Sequence, residues 1–162
     1  MTRRPLAIVA GMLLLASCTR IDDTRIPSAP VRIVFNNVGE WNLYGVSGAG
    51  DYRKFIKQER IPDGYPFTAM TYTGFGGVLL ICDIHSNPVA YDLACPVECR
   101  ADVRINVLAD ELKAECPKCH SIYDIVTNHG QPLSGPAAEK HYGLRKYYVA
   151  PGSAGEYMLV FR

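Results

Sequence analysis

The chain has 162 residues, with 17 Lys and Arg against 16 Asp and Glu, and a formal net charge of +1. That length suffices for one domain with a real hydrophobic core, and a near-neutral balance without a basic stripe argues against nucleic acid as a partner. With 14 Gly, 11 Pro and 10 Tyr and no long helical periodicity, the composition is that of a β-rich protein.

In chain order, Arg3 and Arg4 precede an apolar run from Leu6 to Leu15. That run is about half the ~20 residues a membrane-spanning helix needs, and a basic start, a short apolar run and small residues together read as a signal peptide. Leu15-Ala16-Ser17-Cys18 resembles the bacterial lipobox, which implies cleavage before Cys18 and a lipid on its sulfur. Residues 1–17 are therefore expected to be a lipoprotein signal peptide. Residues 18–30, polar and carrying Pro27 and Pro30, are expected to be the lipidated N-terminus and a linker. The membrane partner would be reached through that lipid alone, since no later stretch is long and apolar enough to span a bilayer. Asp22 and Asp23 resemble the export signal of surface lipoproteins in Bacteroidota, and Thr19 after Cys18 points to the outer membrane. Thr2-Arg3-Arg4 also resembles a twin-arginine signal faintly.

Short candidate strands follow at 31–35, 69–73, 78–82, 89–92, 103–108, 112–115, 147–150 and 157–161, separated by Gly-rich and Ser86-Asn87-Pro88 turns. Many short strands between turn signals predict an all-β sandwich or barrel. Residues 51–58 are the one predicted helix. The aromatic residues Trp41, Tyr44, Tyr52, Phe55 and Tyr65 are expected in a core rather than on a binding surface.

Of six cysteines, Cys18 is assigned to the lipid, and Cys82 at the end of an apolar strand reads as a core thiol. The other four form Cys95-x3-Cys99 and Cys116-x2-Cys119. Two thiol pairs on separate loops can close around one metal or hold a small iron–sulfur cluster. Cys116-Pro117-x-Cys119 is a turn that aims both sulfurs at one point, followed by His120 where such turns favour positive φ. No Ser/His/Asp set, carboxylate pair or phosphate loop stands out, so no catalytic residue is assigned and a carrier or binding module is expected rather than an enzyme.

These residues resemble a known family. Cys116-Pro117-Lys118-Cys119-His120-Ser121-Ile122-Tyr123-Asp124 is similar to the second ligand box of Rieske iron–sulfur domains, C-P-x-H-G-S-x-Y-D. Ala90-Tyr91-Asp92-Leu93-Ala94-Cys95-Pro96 resembles the approach to the first box, and Leu133-Ser134-Gly135-Pro136-Ala137 the proline loop covering the cluster. The resemblance implies an all-β, Rieske-like antiparallel β-sandwich at 68–162, with a small cluster-binding subdomain formed by two loops. Residues 31–67 would then be an N-terminal addition packed on the domain.

The histidine ligands of the family are replaced, by Val97 in the first box and Cys119 in the second. Cys99, two residues beyond Val97, can supply a missing ligand, which makes Cys95, Cys99, Cys116 and Cys119 an all-cysteine set. Ser121 and Tyr123 stand where the family places hydroxyls that hydrogen-bond the centre, and His120 adjoins it. Three states stay open. One is a [2Fe-2S] cluster in electron transfer, its potential lowered toward about −400 mV by all-thiolate ligation. The second is Zn2+ in a structural four-thiolate site. The third is a disulfide-stapled module, with Cys99–Cys119 or Cys95–Cys116 pairs as the resemblance suggests. The expectation is a [2Fe-2S] electron carrier with an unidentified redox or envelope protein partner. The alternative is a zinc- or disulfide-held binding module.

Overall fold

The computed structural model describes residues 20–153 and 155–162; the expected signal peptide and Cys18 lie outside the described residues. The all-β antiparallel expectation holds. Among the described residues, eleven strands run in chain order: β1 Val31–Phe35, β2 Tyr52–Phe55, β3 Tyr72–Thr73, β4 Val78–Cys82, β5 Pro88–Asp92, β6 Asn106–Leu108, β7 Lys113–Glu115, β8 Ile122–Asp124, β9 Gln131–Ser134, β10 Lys146–Pro151 and β11 Met158–Phe161. They form a seven-stranded sheet of order β2-β4-β5-β10-β11-β1-β3 and a four-stranded sheet of order β6-β7-β8-β9. The large sheet curls until its edges nearly meet. Just beyond β2, Lys57 N–H donates to Thr73 Oγ1 at 3.4 Å, and Lys57 Nζ donates to the Thr71 carbonyl at 2.8 Å.

β4 explains how two cores coexist. All five of its residues are buried, and a strand alternates its side chains between faces. Val78, Leu80 and Cys82 enter the core inside the curled sheet, with Ile33, Phe35 and Phe55. Leu79 and Ile81 enter a second core against the small sheet, with Ala114, Tyr123 and Ile125. β5 divides the same way, Ala90 inward and Tyr91 outward. The apolar run at 78–82 is thus a wall between two cores.

Three local expectations are corrected. Residues 51–58 form no α-helix: β2 pairs with β4 from Tyr52↔Ile81 to Phe55↔Val78, and a 3-10 turn follows at Lys57–Glu59. The open edge of β4 offers a ladder of hydrogen bonds, and that tertiary partner outweighs local helix propensity. A short helix, α1 Val38–Tyr44, was not expected. Its cap is legible in the sequence: Asn37 Oδ1 accepts from Glu40 N–H at 3.0 Å, and Glu40 reaches back to Asn36 N–H at 2.8 Å, a reciprocal capping arrangement. A second, α2 Pro136–Lys140, lies where a covering loop was expected.

Residues 31–67 supply strands of the large sheet itself, because β1 lies between β11 and β3. Phe35, Phe55 and Tyr65 share one core with Val78 and Val160, so that core crosses the 67/68 boundary. Trp41 packs edge-on against Phe35 at 4.9 Å and Tyr65 against Phe55 at 5.2 Å. The aromatics are core residues there, apart from Tyr52, which faces the second core.

Candidate metal centre

Two loops of matching conformation approach each other at the small sheet. The second is the β7–β8 hairpin turn, in which Cys116 N–H donates to the Ser121 carbonyl at 3.0 Å and His120 N–H to the Cys116 carbonyl at 3.0 Å. The first begins where Cys95 N–H donates to the Val103 carbonyl at 2.9 Å, and Cys99 N–H closes it onto the Cys95 carbonyl at 2.8 Å. Each loop ends in a left-handed residue, Cys99 at φ 51° and His120 at φ 55°. Lys118 of one loop and Glu98 of the other form an ion pair.

The matching conformation decides which sulfurs meet. Cys95, Cys116 and Cys119 have their Sγ atoms within 4.8 Å of one another, with Cys95 and Cys119 at 3.6 Å. Cys95 and Cys116 are fully buried, whereas Cys119 keeps partial access to solvent. Cys99 does not join them. As the fifth residue of its loop it corresponds to His120, and its Sγ faces the Arg25 carbonyl at 3.5 Å. Of the four cysteines expected at the centre, the structure brings Cys95, Cys116 and Cys119 together and sets Cys99 apart from them. His120 likewise points outward, its side chain 74% exposed and paired with Glu115 at 2.9 Å; it makes no contact with the thiols.

Ser121 and Tyr123, placed near the centre by the resemblance, each lie beside a sulfur. Ser121 Oγ lies 3.2 Å from Cys119 Sγ while accepting from Ala137 N–H at 3.0 Å, so the hydroxyl proton is free to donate to a thiolate. Tyr123 Oη lies 3.6 Å from Cys95 Sγ in a buried contact. Partial burial works against ionisation of Cys119, but the Ser121 hydroxyl and N–H, then the Cys116 and Cys95 thiols, hold it below the ordinary thiol range. Burial pushes the Cys95 thiol up to about 12 and raises Tyr123 further. Cys82 is a buried thiol of the other core, as expected, and His85, His129 and His141 are exposed.

Two supports were not legible in the sequence. Asp92, fully buried, accepts from Phe75, Gly76 and Ala94 N–H at 2.9, 3.0 and 2.7 Å and from the Tyr147 hydroxyl at 2.5 Å. It thereby fixes the backbone one residue before Cys95. The other is the segment at 20–26, expected as a linker, which lies on the domain as a strap. Asp22 bridges Tyr142, Ile26 is completely buried, Arg145 donates to the Thr24 carbonyl at 2.9 Å, and Arg25 covers the Tyr142 ring. The sequence signal for it is a pair of isoleucines, Ile21 and Ile26, in an otherwise polar stretch.

The three thiols can bind a metal. Zinc–sulfur bonds of about 2.3 Å set the sulfurs of a tetrahedral site roughly 3.8 Å apart, close to the Cys95–Cys119 separation. A [2Fe-2S] cluster requires four ligands shared between two irons. The side chains as placed offer three, with Val97 packed against the core that contains Cys95 and Cys116. The three sulfurs as placed converge on one point, the arrangement that holds a single ion.

No family model and no curated protein matches the chain. Among solved structures, the ferredoxin of carbazole 1,9a-dioxygenase from Nocardioides aromaticivorans IC177 is similar over 82% of this chain and 97% of its own, at 20% identity and a TM-score of 0.41.

Proposed function

We propose that this is a cell-envelope lipoprotein whose Rieske-like domain uses Cys95, Cys116 and Cys119 to hold a single thiophilic metal ion between two loops, as a metal-binding module. The convergence of the three sulfurs within 4.8 Å carries the reading. Lipid attachment at Cys18, and with it an outer-membrane location, is supported by the lipobox-like Leu15-Ala16-Ser17-Cys18 alone. The partner is an unidentified envelope protein.

Electron transfer through a [2Fe-2S] centre is the second reading. The Ser121 and Tyr123 hydroxyls beside Cys119 and Cys95 favour it, because such contacts tune the potential of a cluster. It requires a fourth ligand, and Cys99 is the nearest thiol in sequence able to become one by reversing its loop end.

Metal and sulfide analysis of anaerobically purified residues 19–162 separates the two. One metal per chain without sulfide supports the single-ion site. Two irons with two sulfides establish the cluster and refute it. No metal on fully reduced thiols refutes both.

A further inference from the structure

Ligand number limits which ion suits this site. Three sulfurs converge, and every other donor near them is committed elsewhere. Cys99 Sγ is held by the Arg25 carbonyl, the His120 ring by Glu115 and the Glu98 carboxylate by Lys118. Val97, an apolar side chain, packs against the same core as the sulfurs.

Zinc in protein sites takes four ligands, either all from the protein or three with a water in an open position. The first arrangement is not available here without moving Cys99, and the second needs a water beside Cys119, the one sulfur of the three with solvent access. A soft monovalent d10 ion is satisfied by thiolates alone and is stable with three of them. We propose that the ion this site is built for is Cu(I), bound in a three-coordinate, all-sulfur arrangement by Cys95, Cys116 and Cys119. The inference rests on the reading that this trio binds a metal, and it names the ion.

Charge is the opposing consideration. A monovalent ion leaves one more negative charge on three thiolates than zinc does, in a site where two of the sulfurs are fully buried. The Ser121 and Tyr123 hydroxyls, each beside a sulfur, are the donors that take up that excess. Cys119, with partial solvent access, is the sulfur through which an incoming ion arrives by ligand exchange.

The test offers Cu(I) and Zn(II) together, without oxygen, to the reduced mature chain, followed by X-ray absorption at both metal edges. The expected result is one copper per chain with three sulfur neighbours and no oxygen or nitrogen. The inference is overturned by zinc retained with an oxygen or nitrogen neighbour, or by copper with a fourth sulfur from Cys99. Binding of neither ion removes the metal-binding reading itself, a different failure from binding of the wrong one.

Discussion

Cys99 and His120 occupy corresponding places at the ends of two matching loops, both left-handed at φ 51° and 55° and both directed away from the thiols. Backbone conformation, not residue type, determines whether a side chain in these loops reaches the centre. A cysteine at the fifth position is as excluded as a histidine there.

The first prediction separates these positions. Cys95→Ser, Cys116→Ser and Cys119→Ser should each weaken metal binding by more than the roughly 100-fold that loss of an outer hydrogen-bond partner can cost, whereas Cys99→Ser should leave it nearly unchanged. Metal titration against a chelator checks this, and a Cys99→Ser chain that loses its metal would restore the four-cysteine expectation.

Ser121 serves a sulfur and a backbone group at once. Ser121→Ala leaves the buried Ala137 N–H without its acceptor, at about 1–3 kcal/mol of stability. It should also weaken metal binding roughly 10- to 100-fold. Urea unfolding of the metal-free chain measures the first effect separately from the second.

Asp92 holds the approach to Cys95 from 55 residues before its partner Tyr147. Asp92→Ala strands three backbone N–H groups and a hydroxyl in the core, and a loss of about 3–5 kcal/mol is expected. Tyr147→Phe removes a single bond and should cost about 1–3 kcal/mol. Equal losses in the two variants, read by urea unfolding, would mean that the carboxylate is not the organiser of this turn.

Stability in acid should depend on Asp124. Its partial burial favours the neutral form, but hydrogen bonds from the Thr127 hydroxyl and N–H and from Val126 N–H outweigh it and hold the carboxyl below its ordinary 3.8. A carboxylate depressed in the folded state contributes stability above the unfolded value and loses it as pH falls through the folded one. Asp124→Asn should therefore be destabilised at neutral pH and lose less than the parent chain as the pH is lowered below 3.8. Unfolding midpoints across that range decide the matter.

The strap should be a structural part of the domain. Ile26→Ala removes a completely buried side chain and is expected to cost about 2–4 kcal/mol. Because the Arg25 carbonyl lies on Cys99, the same change should speed alkylation of Cys99 in the folded protein. An unchanged rate and midpoint would return residues 20–26 to the status of a free linker.

The sequence by itself determined the all-β class, both cysteine loops and the bounds of β1 and β4, because each rests on local pattern, while the places of Ser121 and Tyr123 came only from the family resemblance. Alternation fixes which face of β1 is buried, and the Cys116-Pro117-x-Cys119 turn aims its two sulfurs wherever it is placed. Only the tertiary structure decided the rest. Residues 52–55 became a strand because β4 had an edge to offer. Ile26 became core because Tyr142 and Arg145, more than 100 residues later, were there to receive its segment. Cys99 stands apart from the other three because its loop ends in a left-handed residue with the sulfur against the Arg25 carbonyl, a contact with a segment 74 residues earlier in the chain. Spacing along the chain records which residues lie near one another; the sign of φ, which it does not record, sets where they point.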